Sequence, residues 1–312
     1  EKTFSKYSLG ENSRELYDSL RTELKVNKVL IHLHSITSPF TINLLKFCDL
    51  SNHPLIGQHH SAKLKWDFFT LLKIGGRKSK YLKPFDSIFS LSDETMNQIK
   101  FLCPNISTSL QTMGLDFDNI KLFPKKESRK LLSLPNDRKI ILFVGRFSSE
   151  KGLKEIFQSI PAIVKDNPDV LFVFAGGTVK ELESLGYKVN KNIKVVGRLE
   201  KEKLIQYYCS ADIFILPSYS EGCPVSLLEA LSLNKYSIST NVGGIPNIKE
   251  KVPELEIIEP RNSLQLSEKI SLFLDNPKKV KTRLSTINNY SWKNIINSTI
   301  SEYSKQIERY YN

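Results

Sequence analysis

Short uninterrupted apolar runs recur through the second half of the chain. They occupy residues 140–144, 171–175, 193–196 and 213–216, and each is followed by a glycine or a proline. Runs of Val, Ile, Leu and Phe without polar alternation are typical of strands buried on both faces of a parallel sheet. The longer stretches between them mix polar and apolar positions and are predicted to be crossover helices. This alternation predicts a doubly wound α/β domain.

The first half of the chain repeats the pattern less regularly. Residues 29–34, 55–58 and 88–91 are predicted strands, with helical stretches after the first and the third. Residues 122–137 are polar and contain two prolines, which is typical of a linker. We therefore predict two α/β domains, residues 1–124 and residues 125–312, with a cleft between them.

Composition excludes several classes of protein. The 312 residues carry a net charge of +12, with 40% hydrophobic and 25% charged residues, which is ordinary for a globular protein. No apolar run approaches the roughly 20 residues that span a bilayer. The four cysteines form no CxxC pair, so neither a zinc site nor a disulfide framework is indicated. Because no secretory signal opens the sequence, we expect the reducing cytoplasm, with the inner face of the membrane as an alternative.

The segment after the run at 140–144 is a candidate ligand loop. Ligands of parallel sheets bind beyond the carboxyl ends of the strands. Gly145, Arg146, Lys151 and Gly152 lie here, before a predicted helix. Glycine allows the backbone to approach a ligand closely, while Arg and Lys supply donors and positive charge. The loop is either a phosphate site or a solvated turn.

The segment that follows the run at 213–216 is more specific. A helix is predicted from Pro224 to Leu233, with its leucines on one face and Glu229 on the opposite face. Glu221 precedes the same helix, whose N-terminal amides and dipole favour anions. Glu229 is either a solvated surface carboxylate or an acceptor for sugar hydroxyls. A carboxylate beside an anion site is the arrangement that a nucleotide sugar requires.

Several motifs in order resemble one family. They are EGCPVSLLEA at 221–230, VGRFSSEKG at 144–152, FVFAGG at 172–177, the stretch 195–218, TNVGGIPNI at 240–248 and YSW at 290–292. Together they resemble the retaining GT-B glycosyltransferases of family 4, glycosyl transferases group 1, with the E-x7-E signature. The resemblance implies two Rossmann-like domains facing across a cleft, and a final helix at 291–312 packing back toward the N-terminal domain.

The resemblance also implies an activity. Such an enzyme moves a hexose from a nucleoside-diphosphate donor, UDP- or GDP-linked, to a hydroxyl of a glycan or lipid-linked acceptor, with retention of configuration. No metal or other cofactor is expected, and no nucleic acid partner. The alternative is a non-catalytic GT-B subunit that binds a nucleotide or a protein. Two features favour this alternative: the first βα unit of the family is expected to be absent, and Asn234-Lys235 stand where relatives usually place a small residue and Gly.

Residue roles follow from the matched motifs. Arg146 and Lys151 would hold the donor diphosphate together with the amides of Val225 and Ser226. Glu229 would accept the ribose hydroxyls, and Glu221 would contact the transferred sugar. The remaining implied positions are Gly145 and Gly222 in the donor site, Gly197 and Arg198 beside the base, and Gly243-Gly244 at the cleft or in a tight loop.

A histidine after the second predicted strand completes the implied catalytic set. His60 fits this place best and His59 is the alternative, so the set is Glu221, His60, Arg146 and Lys151. His32 and His34 share one face of a strand, a pattern that can indicate metal. No carboxylate or cysteine completes a ligand set, so no metal site is predicted.

Two features of the N-terminal half depart from the family or add to it. Residues 1–28 contain only Gly10 and no glycine pair, so the first βα unit of the family is expected to be absent. Residues 63–83 are basic with interleaved aromatic residues. This segment is either a peripheral membrane contact or an ordinary solvated helix.

Overall fold

The chain divides into two compact units. The computed structural model describes residues 13–61, 64, 78–116, 122–278, 280 and 287–312. The first unit comprises the chain up to Thr112 together with Ile296–Asn312, and the second comprises Met113–Ile295. The boundary at residues 124–125 predicted from the sequence thus falls inside the second unit. Most of the basic segment 63–83 lies outside the described residues.

A parallel sheet with helices forms the first unit. Its elements are α1 (Ser13–Val26), β1 (Ile31–His34), α2 (Pro39–Phe47), β2 (Leu55–His59), α3 (Lys78–Leu82), β3 (Ser87–Ser90), α4 (Asp93–Leu102) and β4 (Ser107–Leu110). The strands pair in parallel in the order β1-β2-β3-β4. Ser38 and Ser92 cap the amino ends of α2 and α4, each accepting from the amide three residues ahead. The three strands predicted for this half are confirmed, while β4 was missed because STSL contains no apolar run.

The C-terminal helix α12 (Trp292–Tyr311) joins the first unit from Ile296 onward. Three of its tyrosine hydroxyls bond to that unit. Tyr303 OH lies 2.6 Å from His32 Nδ1, Tyr310 OH donates to Asp86, and Tyr311 OH donates to the carbonyl of Val29. These bonds attach the helix to the first unit.

The second unit contains a larger parallel sheet. Its elements are α5 (Lys125–Leu131), β5 (Ile140–Val144), α6 (Leu153–Asp166), β6 (Leu171–Ala175), α7 (Val179–Ser184), β7 (Ile193–Gly197), α8 (Lys201–Ser210), β8 (Ile213–Leu216), α9 (Val225–Ser232), β9 (Tyr236–Thr240), α10 (Ile245–Lys251), β10 (Glu256–Ile258) and α11 (Ser263–Asp275). The strand order is β10-β9-β8-β5-β6-β7, all parallel. Every residue of β5, β6 and β8 is buried, as expected for strands covered on both faces. The four strands predicted here are confirmed.

The predicted linker at 122–137 is wrong in part. It contains α5, and Arg129 on this helix is 3% exposed. Its guanidinium pairs with Asp212 at 2.8 Å and donates to several backbone carbonyls. The polar residues of this stretch therefore include a buried hydrogen-bonded arginine, which sequence alone does not distinguish from a solvated one.

In the described ranges, no helix combines the length and apolar character of a membrane span.

Candidate nucleotide-binding site

Two loops leave the same edge of the second sheet and touch each other. The strands β5 and β8 are adjacent, so the loops that follow them start side by side. The amide of Tyr219 in one loop donates to the carbonyl of Glu150 in the other, at 2.8 Å. Gly152 has φ +69°, and a Cβ on it would lie 1.8 Å from the carbonyl oxygen of Pro217. Only glycine permits this approach of the two loops.

Lys151 and Glu221 form an ion pair across these loops. Lys151 Nζ lies 2.7 Å from Glu221 Oε1, and Ser218 Oγ donates to the same oxygen at 2.6 Å. The side chains of Lys151 and Glu221 are 19% and 8% exposed. Water screens such a pair weakly, so its charge–charge attraction is stronger than at a free surface. Two of the sequence-predicted residues are therefore in direct contact.

The amino end of α9 directly follows the loop that carries Glu221. No side chain caps it, and the first helical bond to Pro224 O comes from Leu227 N at 3.1 Å. In the described part of the chain, no backbone acceptor is recorded for the amides of Val225 and Ser226. Free amides and the positive end of the helix dipole favour an anion at this place.

Arg146 is the unpaired cation of the site. Its side chain is exposed at the start of the loop after β5, and it makes no hydrogen bond or ion pair with any residue that the structure describes. The neighbouring Gly145 is fixed, since its amide donates to Ala175 O at 3.0 Å. The Arg146 guanidinium thus retains its full capacity for a ligand.

Glu229 lies one turn into α9 and borders a cavity of about 180 Å³. The cavity is also lined by Val225, Lys201, Asp116 and Trp292. Burial raises the pKa of Glu229, while a hydrogen bond from Tyr208 and the nearby charge of Lys201 lower it. Its side chain is half-buried at the edge of this cavity.

The glycines near the predicted base position are tightly constrained. Gly176 has φ +115°, and a Cβ there would lie 2.2 Å from Gly145 O. The amide of Gly176 donates to Gly197 O at 2.7 Å, which links the loops after β6 and β7. Arg198 extends outward and pairs with Glu181 at 2.6 Å, with both side chains largely exposed. A ligand bound beside Gly197 would therefore lie next to the Arg198–Glu181 pair.

The Gly243-Gly244 segment forms a tight loop against the Glu221 loop. Gly243 has φ +57°, and the amide of Gly244 donates to Gly222 O at 3.0 Å. This contact explains how Gly222 contributes to the site, because it fixes the backbone between Glu221 and α9. Asn234, the first residue of the Asn234-Lys235 pair, has φ +56°, a conformation that asparagine tolerates.

Three histidines of the first unit, His32, His34 and His60, form a column. The rings of His32 and His34 stack at 4.5 Å, and His34 Nδ1 lies 3.0 Å from His60 Nε2. Burial and neighbouring imidazoles lower the pKa of His32 to about 4, and burial also lowers the pKa of His34 and His60. Over the described ranges, His, Cys, Asp and Glu side chains form no group of three able to hold a metal ion. His59, the alternative to His60, is buried within β2.

Two contributors to the site were not predicted from the sequence. Ser218 directly follows β8, and a polar residue at the carboxyl end of a buried strand was the available signal. Tyr208 on α8 hydrogen-bonds Glu229. No sequence pattern indicates this bond, because its partner lies 21 positions further along the chain.

Comparison with known proteins identifies the family. The family model described as Glycosyl transferases group 1 matches residues 124–290, more than half of the chain. The chain belongs to this family. The matched region includes the predicted donor-site residues, from Gly145 to Glu229.

Two curated relatives of this family member illustrate the range of similarity. A putative teichuronic acid biosynthesis glycosyltransferase of Bacillus subtilis is 36% identical over 149 residues, covering 48% of this chain and 36% of the relative. The N,N'-diacetylbacillosaminyl-diphospho-undecaprenol alpha-1,3-N-acetylgalactosaminyltransferase of Campylobacter jejuni is 28% identical over 212 residues, covering 62% and 55%. The matches span about half or less of the length of these relatives.

Solved structures support the fold. The Anabaena protein HepE, crystallised in complex with UDP, superposes with a TM-score of 0.74 at 14% identity, covering 93% of this chain and 82% of that protein. The expectation of a GT-B α/β fold with two parallel-sheet, Rossmann-like domains is confirmed.

Proposed function

We propose that this group 1 family member is a glycosyltransferase that takes a hexose from a nucleoside-diphosphate sugar. The observation that carries the proposal is the placement of Lys151, Glu221 and the free amides of α9 at one edge of the second sheet. The diphosphate would lie between Arg146, Lys151 and those amides. Glu229 would accept ribose hydroxyls from the cavity beside them.

The chemistry of the leaving group supports these roles. When the bond from the sugar to the diphosphate breaks, negative charge grows on the phosphate oxygens. A fixed positive cradle stabilises that charge, and removing one donor from such a cradle slows a reaction by about 10²–10³. The Lys151 amine, the Arg146 guanidinium and the α9 amides supply the cradle from the protein alone. No metal or other cofactor is part of the proposal.

In the proposed reaction, the acceptor hydroxyl attacks the same face of the sugar that the diphosphate leaves. Glu221 would bind hydroxyls of the transferred sugar. His60 would lie near the reacting sugar from the first unit. Configuration would be retained, and the departing phosphate would take the acceptor proton. A glycan or lipid-linked acceptor is proposed, since one curated relative is named for teichuronic acid biosynthesis and another for a diphospho-undecaprenol acceptor.

The test is donor binding followed by turnover. Isothermal titration with UDP, GDP and ADP identifies the nucleotide, and labelled sugar donors then report slow hydrolysis or transfer. We expect Arg146→Ala and Glu229→Ala each to weaken nucleotide binding by about tenfold or more and to slow turnover by about 10²–10³. Lys154→Ala, which removes an exposed cation on α6 outside the site, should leave them unchanged. Wild-type behaviour of the two site variants would overturn the site.

The same measurements separate the enzyme from the non-catalytic alternative. A binding subunit would bind a nucleoside diphosphate without hydrolysing any sugar donor.

The proposal also includes a cytoplasmic location with peripheral contact at the inner membrane face, through residues 63–83. Sedimentation with vesicles of anionic lipid, compared with neutral vesicles, tests that contact.

A further inference from the structure

Tyr208 is fully buried, and its hydroxyl lies close to two acceptors. The ring packs on Phe214 beneath α8, with the two centroids 5.7 Å apart. The hydroxyl lies 2.8 Å from Glu229 Oε2 and 3.1 Å from the carbonyl oxygen of Ser226. Both acceptors belong to the first turns of α9. One tyrosine therefore contacts the predicted ribose carboxylate and the backbone of the predicted phosphate-binding turn.

The hydroxyl has a single proton and two acceptors. The ionised carboxylate is the closer and the stronger acceptor, so the proton goes to Glu229. The other carboxylate oxygen, Oε1, receives no hydrogen bond from any residue that the structure describes, and it is not among the buried unpaired atoms. One oxygen of Glu229 is thus held by the protein, and the other is open to solvent.

We propose that Tyr208 is a positioning residue of the donor site, which holds Oε2 of Glu229 against α8 and presents Oε1 to the ribose hydroxyls of a bound nucleotide. This inference rests on the proposed function. A carboxylate fixed through one oxygen loses little conformational freedom when the ligand binds. A freely rotating Glu229 would have to be ordered by the ligand itself.

The electrostatic surroundings give this role a measurable pH dependence. Burial raises the pKa of Glu229, and the Tyr208 hydroxyl and Lys201 oppose that rise. Lys201 is itself paired with Asp116 at 3.4 Å, and both residues line the cavity beside Glu229. Only the ionised carboxylate accepts hydrogen bonds through both oxygens. Without the Tyr208 hydroxyl, the pKa of Glu229 rises further. As the pH is lowered, nucleotide binding is therefore lost at a higher pH than in wild type.

The experiment compares a nucleotide with a ligand that lacks ribose. Titration calorimetry with UDP, GDP and inorganic pyrophosphate is run between pH 5.5 and 8 on wild type and Tyr208→Phe. We expect Tyr208→Phe to weaken nucleotide binding by about tenfold at pH 8, because a hydrogen bond to a charged group is lost. At pH 5.5 the loss of affinity should be larger. Pyrophosphate affinity should not change, since it does not reach Glu229.

Two further variants exclude a merely structural effect. Tyr207→Phe removes a buried hydroxyl from the adjacent position of α8 and should bind like wild type. In a double-mutant cycle, Tyr208→Phe should cost nothing further once Glu229→Gln is present, because the two residues act as one unit. Additive losses would show that Tyr208 acts through general packing and would overturn the proposal.

The outcomes also separate this inference from the proposed function. If wild type binds neither UDP, GDP nor ADP, the donor-site proposal itself fails. If wild type binds one of them and Tyr208→Phe binds it equally well at every pH, the positioning role fails and the donor site stands. Equal weakening of nucleotide and pyrophosphate likewise overturns the positioning role.

Discussion

The amine of Lys151 lies 2.7 Å from the carboxylate of Glu221, although the two residues are 70 positions apart in the chain. Each residue comes from a loop at the carboxyl end of a buried strand. Their contact brings together the residue predicted to bind phosphate and the residue predicted to bind the transferred sugar. Donor phosphates would share Lys151 with Glu221, whose other hydrogen-bond donor, Ser218, would remain in place.

Removing the amine from this pair should reduce both stability and binding. Lys151→Met leaves the Glu221 carboxylate, 8% exposed, with Ser218 as its donor. We expect the free energy of unfolding to fall by about 2 kcal/mol, which is the value of a hydrogen bond to a charged group. Chemical denaturation followed by circular dichroism measures this loss. Combining Lys151→Met with Glu221→Gln should recover part of the stability, and a further loss in the double variant would contradict the ion-pair explanation.

Removing the Arg146 side chain should weaken ligand binding without reducing stability. Because its guanidinium contacts no described side chain, Arg146→Ala should change the free energy of unfolding by less than about 0.5 kcal/mol. Its loss should nevertheless weaken the binding of a nucleoside diphosphate by about tenfold or more. Calorimetry and denaturation on the same preparation check both expectations, with Lys154→Ala as the matched surface control. A destabilised variant would mean that Arg146 has a structural partner.

The histidine column should make the first unit sensitive to acid. The pKa of His32 is lowered to about 4 from its ordinary 6.5, so the unfolded chain binds a proton there that the folded chain excludes. The contribution of His32 to stability is therefore fully present above pH 6.5 and is lost as the pH falls toward 4, and it amounts to at most about 3 kcal/mol. His32→Asn keeps a partner for Tyr303 without titrating and should show a shallower loss.

Tyr303→Phe is the control for this pH dependence. It removes the hydroxyl that bonds His32 Nδ1 but leaves the imidazole buried, so the loss of stability in acid should keep its slope. Denaturant unfolding at pH 7, 6, 5 and 4.5 gives the slopes of all three proteins. Equal slopes for wild type and His32→Asn would show that the column does not control acid stability.

Sequence predicted the parts of the fold whose physical signal is local. The runs that became β5, β6 and β8 are fully buried, so their apolar residues alone define them. By contrast, β9 (YSIST) was missed because Ser237 and Ser239 interrupt it. These serines are buried with their hydroxyls bonded to backbone carbonyls, a solution that no apolar pattern reveals.

The candidate site divides in the same way. Lys151 and Glu221 could be predicted to converge because both follow strands that end at one edge of a parallel sheet. The partner of Glu229 could not be predicted, because Tyr208 reads as one more apolar residue on the buried face of α8. Only the packing of α8 against α9 turns its hydroxyl toward the carboxylate.

Two glycines allow the cost of a left-handed backbone conformation to be measured separately from the cost of a steric clash. Gly152 and Gly186 both have positive φ, +69° and +87°. A Cβ on Gly186 would meet nothing within 4 Å, whereas one on Gly152 would lie 1.8 Å from Pro217 O. Gly186→Ala should therefore cost only the strain of the left-handed conformation, about 1 kcal/mol. Gly152→Ala should cost more, because the two loops must also separate.

Separation of the loops should also affect the ligand. Displacing the Gly152 loop from Pro217 moves Lys151 away from Glu221, so nucleoside-diphosphate binding should weaken by about tenfold or more in Gly152→Ala. Gly186→Ala should bind like wild type, since it lies beyond α7 and outside the site. Denaturation and calorimetry on the two variants provide the comparison. If Gly152→Ala were as stable as Gly186→Ala and bound equally well, the contact between the loops would not be what assembles the donor site.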